Sequence, residues 1–214
     1  MTDIHAAPWP RLGRNLIAIL RGVTPAEGVE IGAALVEAGF DAIEVPLNSP
    51  EPLDTIGRLV AALPRHVLIG AGTVLTAERV AAVHGAGGRL IVSPNFDPAV
   101  VGAAVRLGMV SMPGVFTPTE AFGALAAGAS GLKFFPASVL GIAGIAAIRA
   151  VLPPGVALGA VGGVSDETFA AYATSGVTVF GLGSSLYKPG FNAAEVQKRA
   201  RAAVAAYDTV FAGV

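Results

Sequence analysis

The chain has 214 residues, of which 53% are hydrophobic and only 14% charged, with 28 glycines and a formal net charge of −1. This composition suits many buried elements joined by tight turns, and without a basic cluster it argues against nucleic acid as a main partner. Zero cysteines exclude a disulfide framework, a thiolate nucleophile and any cysteine metal site, and the three scattered histidines, His5, His66 and His84, show no metal-ligand spacing.

From residue 16 onward, short β-rich runs alternate with Ala-rich helical segments in eight rounds. The first strand is predicted over 16–21. A helix over 25–38 follows, opened by Thr24 as N-cap with Pro25 in the first turn and closed by Gly39. Further strands are predicted over 42–47, 67–72, 90–93, 109–113, 131–135, 156–161 and 177–182. Between them, Asp97-Pro98 and Ser165-Asp166 start later helices in the same manner, and Gly128 and Gly176 end others. Repeated β-then-α order implies a parallel sheet covered by helices, and eight such units fit a (β/α)8 TIM barrel. No composition shift marks a linker, so residues 1–214 read as a single domain. An open doubly wound sheet would need fewer strands and a Gly-rich fingerprint after the first, which Arg21-Gly22-Val23-Thr24 does not supply. Every long apolar run is broken by Gly, Pro or charge, so no membrane span is expected. Residues 1–10 lack the basic region and apolar block of a secretory signal, which makes the cytoplasm the expected location.

Lys133 stands inside the apolar run Gly131-Leu132-Lys133-Phe134-Phe135-Pro136, whereas Lys188 and Lys198 lie among loop and helix residues. Desolvation disfavours an ammonium ion, so a lysine in such a strand can hold a neutral amine able to attack a carbonyl. The run alone equally fits a lysine whose head snorkels out or pairs with a carboxylate. In a barrel, however, chemistry collects at the C-terminal strand ends, and several polar groups gather there. They are Arg21 after strand one, Glu44 within strand two, Thr73 after strand three, Ser93-Pro94-Asn95 after strand four and Lys133 in strand six. An acid and an amine both facing the barrel interior favour a catalytic pair over a structural one. Gly162-Gly163 after strand seven and Gly183-Ser184 after strand eight fit a phosphate site made of backbone N–H groups.

In order along the chain, Leu20-Arg21-Gly22, Glu44-Val45-Pro46-Leu47-Asn48-Ser49-Pro50, Gly70-Ala71-Gly72-Thr73, Ser93-Pro94-Asn95, Leu132-Lys133-Phe134-Phe135-Pro136, Val161-Gly162-Gly163 and Gly181-Leu182-Gly183-Ser184 resemble the 2-keto-3-deoxy-6-phosphogluconate and 2-keto-3-deoxy-6-phosphogalactonate aldolases. The resemblance spans almost the whole chain and implies a class I aldolase on a (β/α)8 barrel. It casts Lys133 as the Schiff-base lysine and Glu44 as general acid/base. It casts Arg21 and Thr73 as substrate contacts, and Gly162, Gly163, Gly183 and Ser184 as the phosphate surroundings. No cofactor is implied; the partner is a small-molecule substrate, and the assembly a homotrimer. Asn48 and Val161 stand where the gluconate branch usually shows arginine and threonine, so the resemblance favours the galactonate branch and makes Val161 a substrate-binding position. A phosphate-binding barrel isomerase would share the glycine clusters without needing Lys133, and a non-catalytic sugar-phosphate binding barrel would bind without turnover.

Overall fold

The computed structural model describes residues 7–212; His5, and the first part of the segment read against a secretory signal, lie outside the described residues. Nine parallel strands are observed: β1 (Leu16–Ile19), β2 (Ala42–Pro46), β3 (Leu68–Gly72), β4 (Leu90–Val92), β5 (Val110–Met112), β6 (Gly114–Val115), β7 (Gly131–Phe134), β8 (Ala157–Val161) and β9 (Val179–Leu182). Their order is β5-β4-β3-β2-β1-β9-β8-β7-β6, which curls one sheet into a barrel. The ninth strand lies beyond Pro113, which ends the fifth predicted strand and separates β5 from a short β6 outside the predicted range, because proline offers no N–H to the ladder. β5 before the proline pairs with β4, and β6 after it pairs with β7. Two bonds, Ser130 N–H to the Ser111 carbonyl and Lys133 N–H to the Pro113 carbonyl, both 2.9 Å, close the wall. The expected eight-stranded barrel is therefore present, with one strand interrupted at the closure.

The helices are α1 (Pro25–Ala38), α2 (Pro52–Ala62), α3 (Ala77–Gly85), α4 (Pro98–Arg106), α5 (Pro118–Ala126), α6 (Ala137–Arg149), α7 (Phe169–Ala173) and α8 (Ala193–Phe211). α1 starts at Thr24, whose backbone N–H donates to Glu27 Oε1 at 3.0 Å, and ends at Gly39 with φ 104°, a left-handed conformation that favours glycine. Asp97 caps α4 by accepting from the N–H groups of Ala99 and Val100. The helix expected after Ser165 is shorter than its pattern implied, because a 3-10 turn over Asp166–Thr168 occupies its start. No helix among the described residues is long and apolar enough to cross a membrane.

Alternate strand residues face opposite sides of the wall, and this separates two apolar cores. Ile43, Val45, Leu132, Phe134, Leu158 and Phe180 belong to the layer beneath the helices. A smaller cluster of Ile17, Ala42, Leu90, Val92, Val110, Met112 and Val179 fills the barrel, with Trp9 and Leu12 packed against it. Glycine recurs at inward positions beside large inward side chains. A Cβ built at Gly159 would lie 2.8 Å from Met112 Cε, and one at Gly131 would lie 3.3 Å from the same atom. Met112 thus occupies space that two neighbouring strands leave vacant. Met112→Ala is expected to lower stability by about 2–5 kcal/mol, because glycine backbones cannot refill that space; urea unfolding measures it.

Candidate active site

Lys133 and Glu44 point into the barrel from strands on different sides of it. Lys133 is 6% exposed and Glu44 2% exposed. Both have glycine as a register partner on adjoining strands. The register partners of Lys133 are Gly114 on β6 and Gly159 on β8. Glu44 pairs with Gly70 on β3, and its carboxylate occupies the place where a Cβ at Gly72 would go. Glu44 Oε2 is buried with no hydrogen-bond partner. An orphaned buried carboxylate oxygen is costly, and it suits an acid that exchanges its proton with a bound molecule.

Burial pushes the Glu44 carboxyl up from 4.5 to about 7, against the opposing charges of Lys133 and Arg21. Burial likewise holds the Lys133 amine below the ordinary lysine value, with Glu44 acting the other way and Arg21 adding to the depression. The two groups are not in ion-pair contact, so neither is locked in its charged form by the other. A neutral amine and a protonatable carboxyl can coexist near neutrality, which is the combination needed to form and resolve an imine. Lys133 Nζ lies 4.7 Å from the centroid of the Phe135 ring, whose π face favours the cationic state whenever the amine or its imine is charged.

The polar rim is built by loops. Arg21 follows β1 by two residues and is exposed; its Nη1 donates to Asn48 Oδ1 at 2.6 Å and its Nη2 to Thr73 Oγ1 at 3.4 Å. Thr73 adopts φ 56°, a left-handed conformation that a β-branched residue rarely takes and that carries strain of about 1–3 kcal/mol. Gly22 N–H donates to Ser49 Oγ at 2.9 Å, fixing the turn that carries Arg21. Gly162 and Gly163 have φ 89° and 76°, and this consecutive left-handed pair requires glycine. A Cβ at Gly163 would also meet Ser138 Cβ at 2.6 Å. Gly183 is different: a Cβ there would meet nothing within 4 Å, so its glycine leaves open space rather than permitting a packed turn. Ser184 beside it is exposed. Val161 ends β8, is 8% exposed, and lays its Cγ2 over the position that a Gly181 side chain would fill.

The structure therefore gathers Lys133, Glu44, Arg21, Thr73, Val161 and both glycine turns at the C-terminal end of the strands. Ser93 follows the end of β4 as expected, but its buried hydroxyl is spent on the Val74 carbonyl at 2.7 Å. Phe135, Ser49 and Ser138 were not singled out by sequence. Only Phe135 had a signal, its spacing of two residues from Lys133 on one strand face. A depression of about 870 Å3 lined by Arg65 and Arg89 lies at the opposite barrel end, beside the start of β3.

Residues 13–204 match the sequence profile of the KDPG and KHG aldolases. The chain belongs to the KDPG and KHG aldolase family. It is 60% identical over 206 residues to a Rhizobium meliloti (strain 1021) protein named "Probable 2-dehydro-3-deoxy-6-phosphogalactonate aldolase", covering 96% of this chain and 97% of that one. It is 48% identical over 192 residues to the 2-dehydro-3-deoxy-6-phosphogalactonate aldolase of Escherichia coli (strain K12), covering 90% and 94%. Among solved structures, one described as native KDPGal superimposes with a TM-score of 0.92 at 46% identity, covering 95% of this aldolase and 98% of its counterpart.

The raised Glu44 value has a thermodynamic consequence. Between about pH 4.5 and about pH 7 the folded aldolase retains a proton that the unfolded chain has lost, so Glu44 subtracts stability as pH rises through that window. Glu44→Gln is therefore expected to gain on the wild type by on the order of 3 kcal/mol across it, at 1.36 kcal/mol per unit. Urea midpoints of both proteins along that pH range are the check; a constant difference would mean that the carboxyl stays ionised throughout.

Proposed function

We propose that this protein is a class I aldolase that cleaves 2-dehydro-3-deoxy-6-phosphogalactonate to pyruvate and glyceraldehyde 3-phosphate, in galactonate breakdown. The observation that carries the reading is the buried, unpaired Lys133 amine facing a buried, proton-holding Glu44 inside the barrel. The names of the two relatives support the galactonate assignment.

In the proposed reaction the neutral Lys133 amine adds to the C2 ketone, and loss of water leaves a protonated imine that serves as electron sink. Glu44, directly or through one water, transfers protons during imine formation and then takes the proton of the C4 hydroxyl. The C3–C4 bonding pair flows into the iminium, glyceraldehyde 3-phosphate departs, and the enamine of pyruvate remains. Protonation at C3 and addition of water release pyruvate and restore the amine. Arg21 and Thr73 orient the substrate, while Gly162, Gly163, Gly183 and Ser184 receive the 6-phosphate through backbone N–H groups and a hydroxyl. No cofactor takes part. Residues 1–214 act as one barrel domain.

The reading also places the enzyme in the cytoplasm as a homotrimer. Support for assembly comes from exposed apolar side chains: Val139 is 71% exposed and Phe116 38%, and both border a depression of about 430 Å3 beside Phe135.

Pyruvate followed by borohydride is expected to inactivate the protein with the adduct on Lys133, located by peptide mapping. An adduct confined to Lys188 or Lys198 would overturn the mechanism. Lys133→Arg should be as inactive as Lys133→Ala, since guanidinium stays protonated.

Val161 bears on epimer choice, because it offers no hydrogen bond and ends the strand that holds the register partner of Lys133. Val161→Thr adds a hydroxyl at nearly constant shape, worth about 0.5–1.5 kcal/mol to a differently oriented C4 hydroxyl. The galactonate-to-gluconate preference should shift roughly three- to tenfold, measured as kcat/KM on both purified epimers. A wild-type preference for the gluconate epimer would refute the branch assignment.

A further inference from the structure

We propose that Tyr187, Glu27 and Ser185 are positioning residues that brace the turn at Gly183–Ser184 against its two neighbouring loops, and so fix where the phosphate cradle stands relative to Arg21. The inference rests on the phosphate reading given above and goes beyond it, because none of the three is among the residues assigned to the substrate.

The turn itself is closed by two backbone bonds, from the N–H groups of Leu186 and Tyr187 to the Gly183 carbonyl, both 2.9 Å. It is next anchored on two sides. Ser185 Oγ donates to the Val164 carbonyl at 3.1 Å, which ties the turn after β9 to the loop that carries Gly162 and Gly163. On the other side, Tyr187 OH donates to Glu27 Oε1 at 3.2 Å across 160 residues of sequence. The same Glu27 oxygen accepts from Thr24 N–H at 3.0 Å and Thr24 Oγ1 at 3.1 Å, at the end of the loop that begins with Arg21. Pro189 reinforces the contact: a Cβ at Gly22, next to Arg21, would lie 2.8 Å from Pro189 Cγ.

Tyr187 is 2% exposed, so its hydroxyl is committed to Glu27 and does not face solvent. Burial first, then the Glu27 charge, pushes its phenol up, which keeps the hydroxyl a donor at all working pH. Without the bond, the cradle would remain attached to β8 and β9 but would keep only the Pro189 contact with Gly22 as its tie to the Arg21 loop. Groups that grip one substrate from different loops must keep a fixed separation for all to engage, and this brace spans that separation.

The test uses the full chain as wild type, Tyr187→Phe and Ser185→Ala, with kcat and KM measured on the phosphorylated 2-keto-3-deoxy acid and on its dephosphorylated form. Tyr187→Phe keeps the buried ring and removes only the hydroxyl. Each variant should raise KM for the phosphorylated acid roughly three- to tenfold, the scale of one net hydrogen bond, with kcat within about twofold. Values for the dephosphorylated acid and the pyruvate–borohydride trapping of Lys133 should stay at wild-type level. An unchanged phosphorylated KM, or equal losses on both substrates, would show the contacts to be merely structural and overturn the brace. Should Tyr187→Phe fail to fold, Ser185→Ala decides alone. A wild type that cleaves neither acid, or shows no preference for the phosphorylated one, refutes the underlying function before any variant is compared.

Discussion

An ionisable side chain buried within a barrel has to be given room before it can be given a role, and for Glu44 the room is made by glycine. The Glu44 carboxylate takes the place of a Cβ at Gly72, while Gly114 and Gly159, the register partners of Lys133, leave room for the Pro94 backbone and for Met112. A methyl group at Gly72 would expel the Glu44 carboxylate from its seat. The desolvation that raises the Glu44 carboxyl thus follows from backbone placed where a side chain would otherwise be, and it acts alongside the burial that depresses the Lys133 amine. The same device seats Met112 deeper in the barrel and Val161 over Gly181. In this wall the positions without side chains are as decisive as those with them.

The alternation of strands and helices was legible because it is local: caps such as Thr24 and Asp97 and stops such as Gly39 act within a turn of where they stand. The interruption at Pro113 rests on a rule equally visible in sequence, yet Gly114 and Val115 were not read as a strand, because a two-residue segment shows itself only through its pairing with β7. Lys133 and Glu44 were legible for a different reason. A charge inside an apolar strand conflicts with its surroundings, and such conflicts mark function.

The rim was harder to read. Asn48 entered only as a difference between two branches of a family, while its bond to Arg21 joins residues 27 apart. Ser49, Ser138 and Tyr187 look ordinary in sequence, since their partners are supplied by distant segments when the barrel closes. Thr73 gave no warning of its left-handed backbone, because nothing in a Gly-Thr-Val sequence distinguishes a strained threonine from a relaxed one. The contacts that orient a site at the mouth of a barrel are long-range by construction, and periodicity carries no record of them.

The partition of apolar residues into two cores has a consequence for inheritance. The reactive pair rests on the smaller one, a plug of seven buried residues with Trp9 and Leu12 beneath it, while the far larger set lies between wall and helices. Substitutions in the outer set alter how firmly helices are held without touching the plug that seats Met112. Lineages sharing this barrel are free to exchange outer apolar residues and drift apart in sequence while the chemistry at the mouth is transmitted intact. A change in the plug or in an inward glycine has no such latitude.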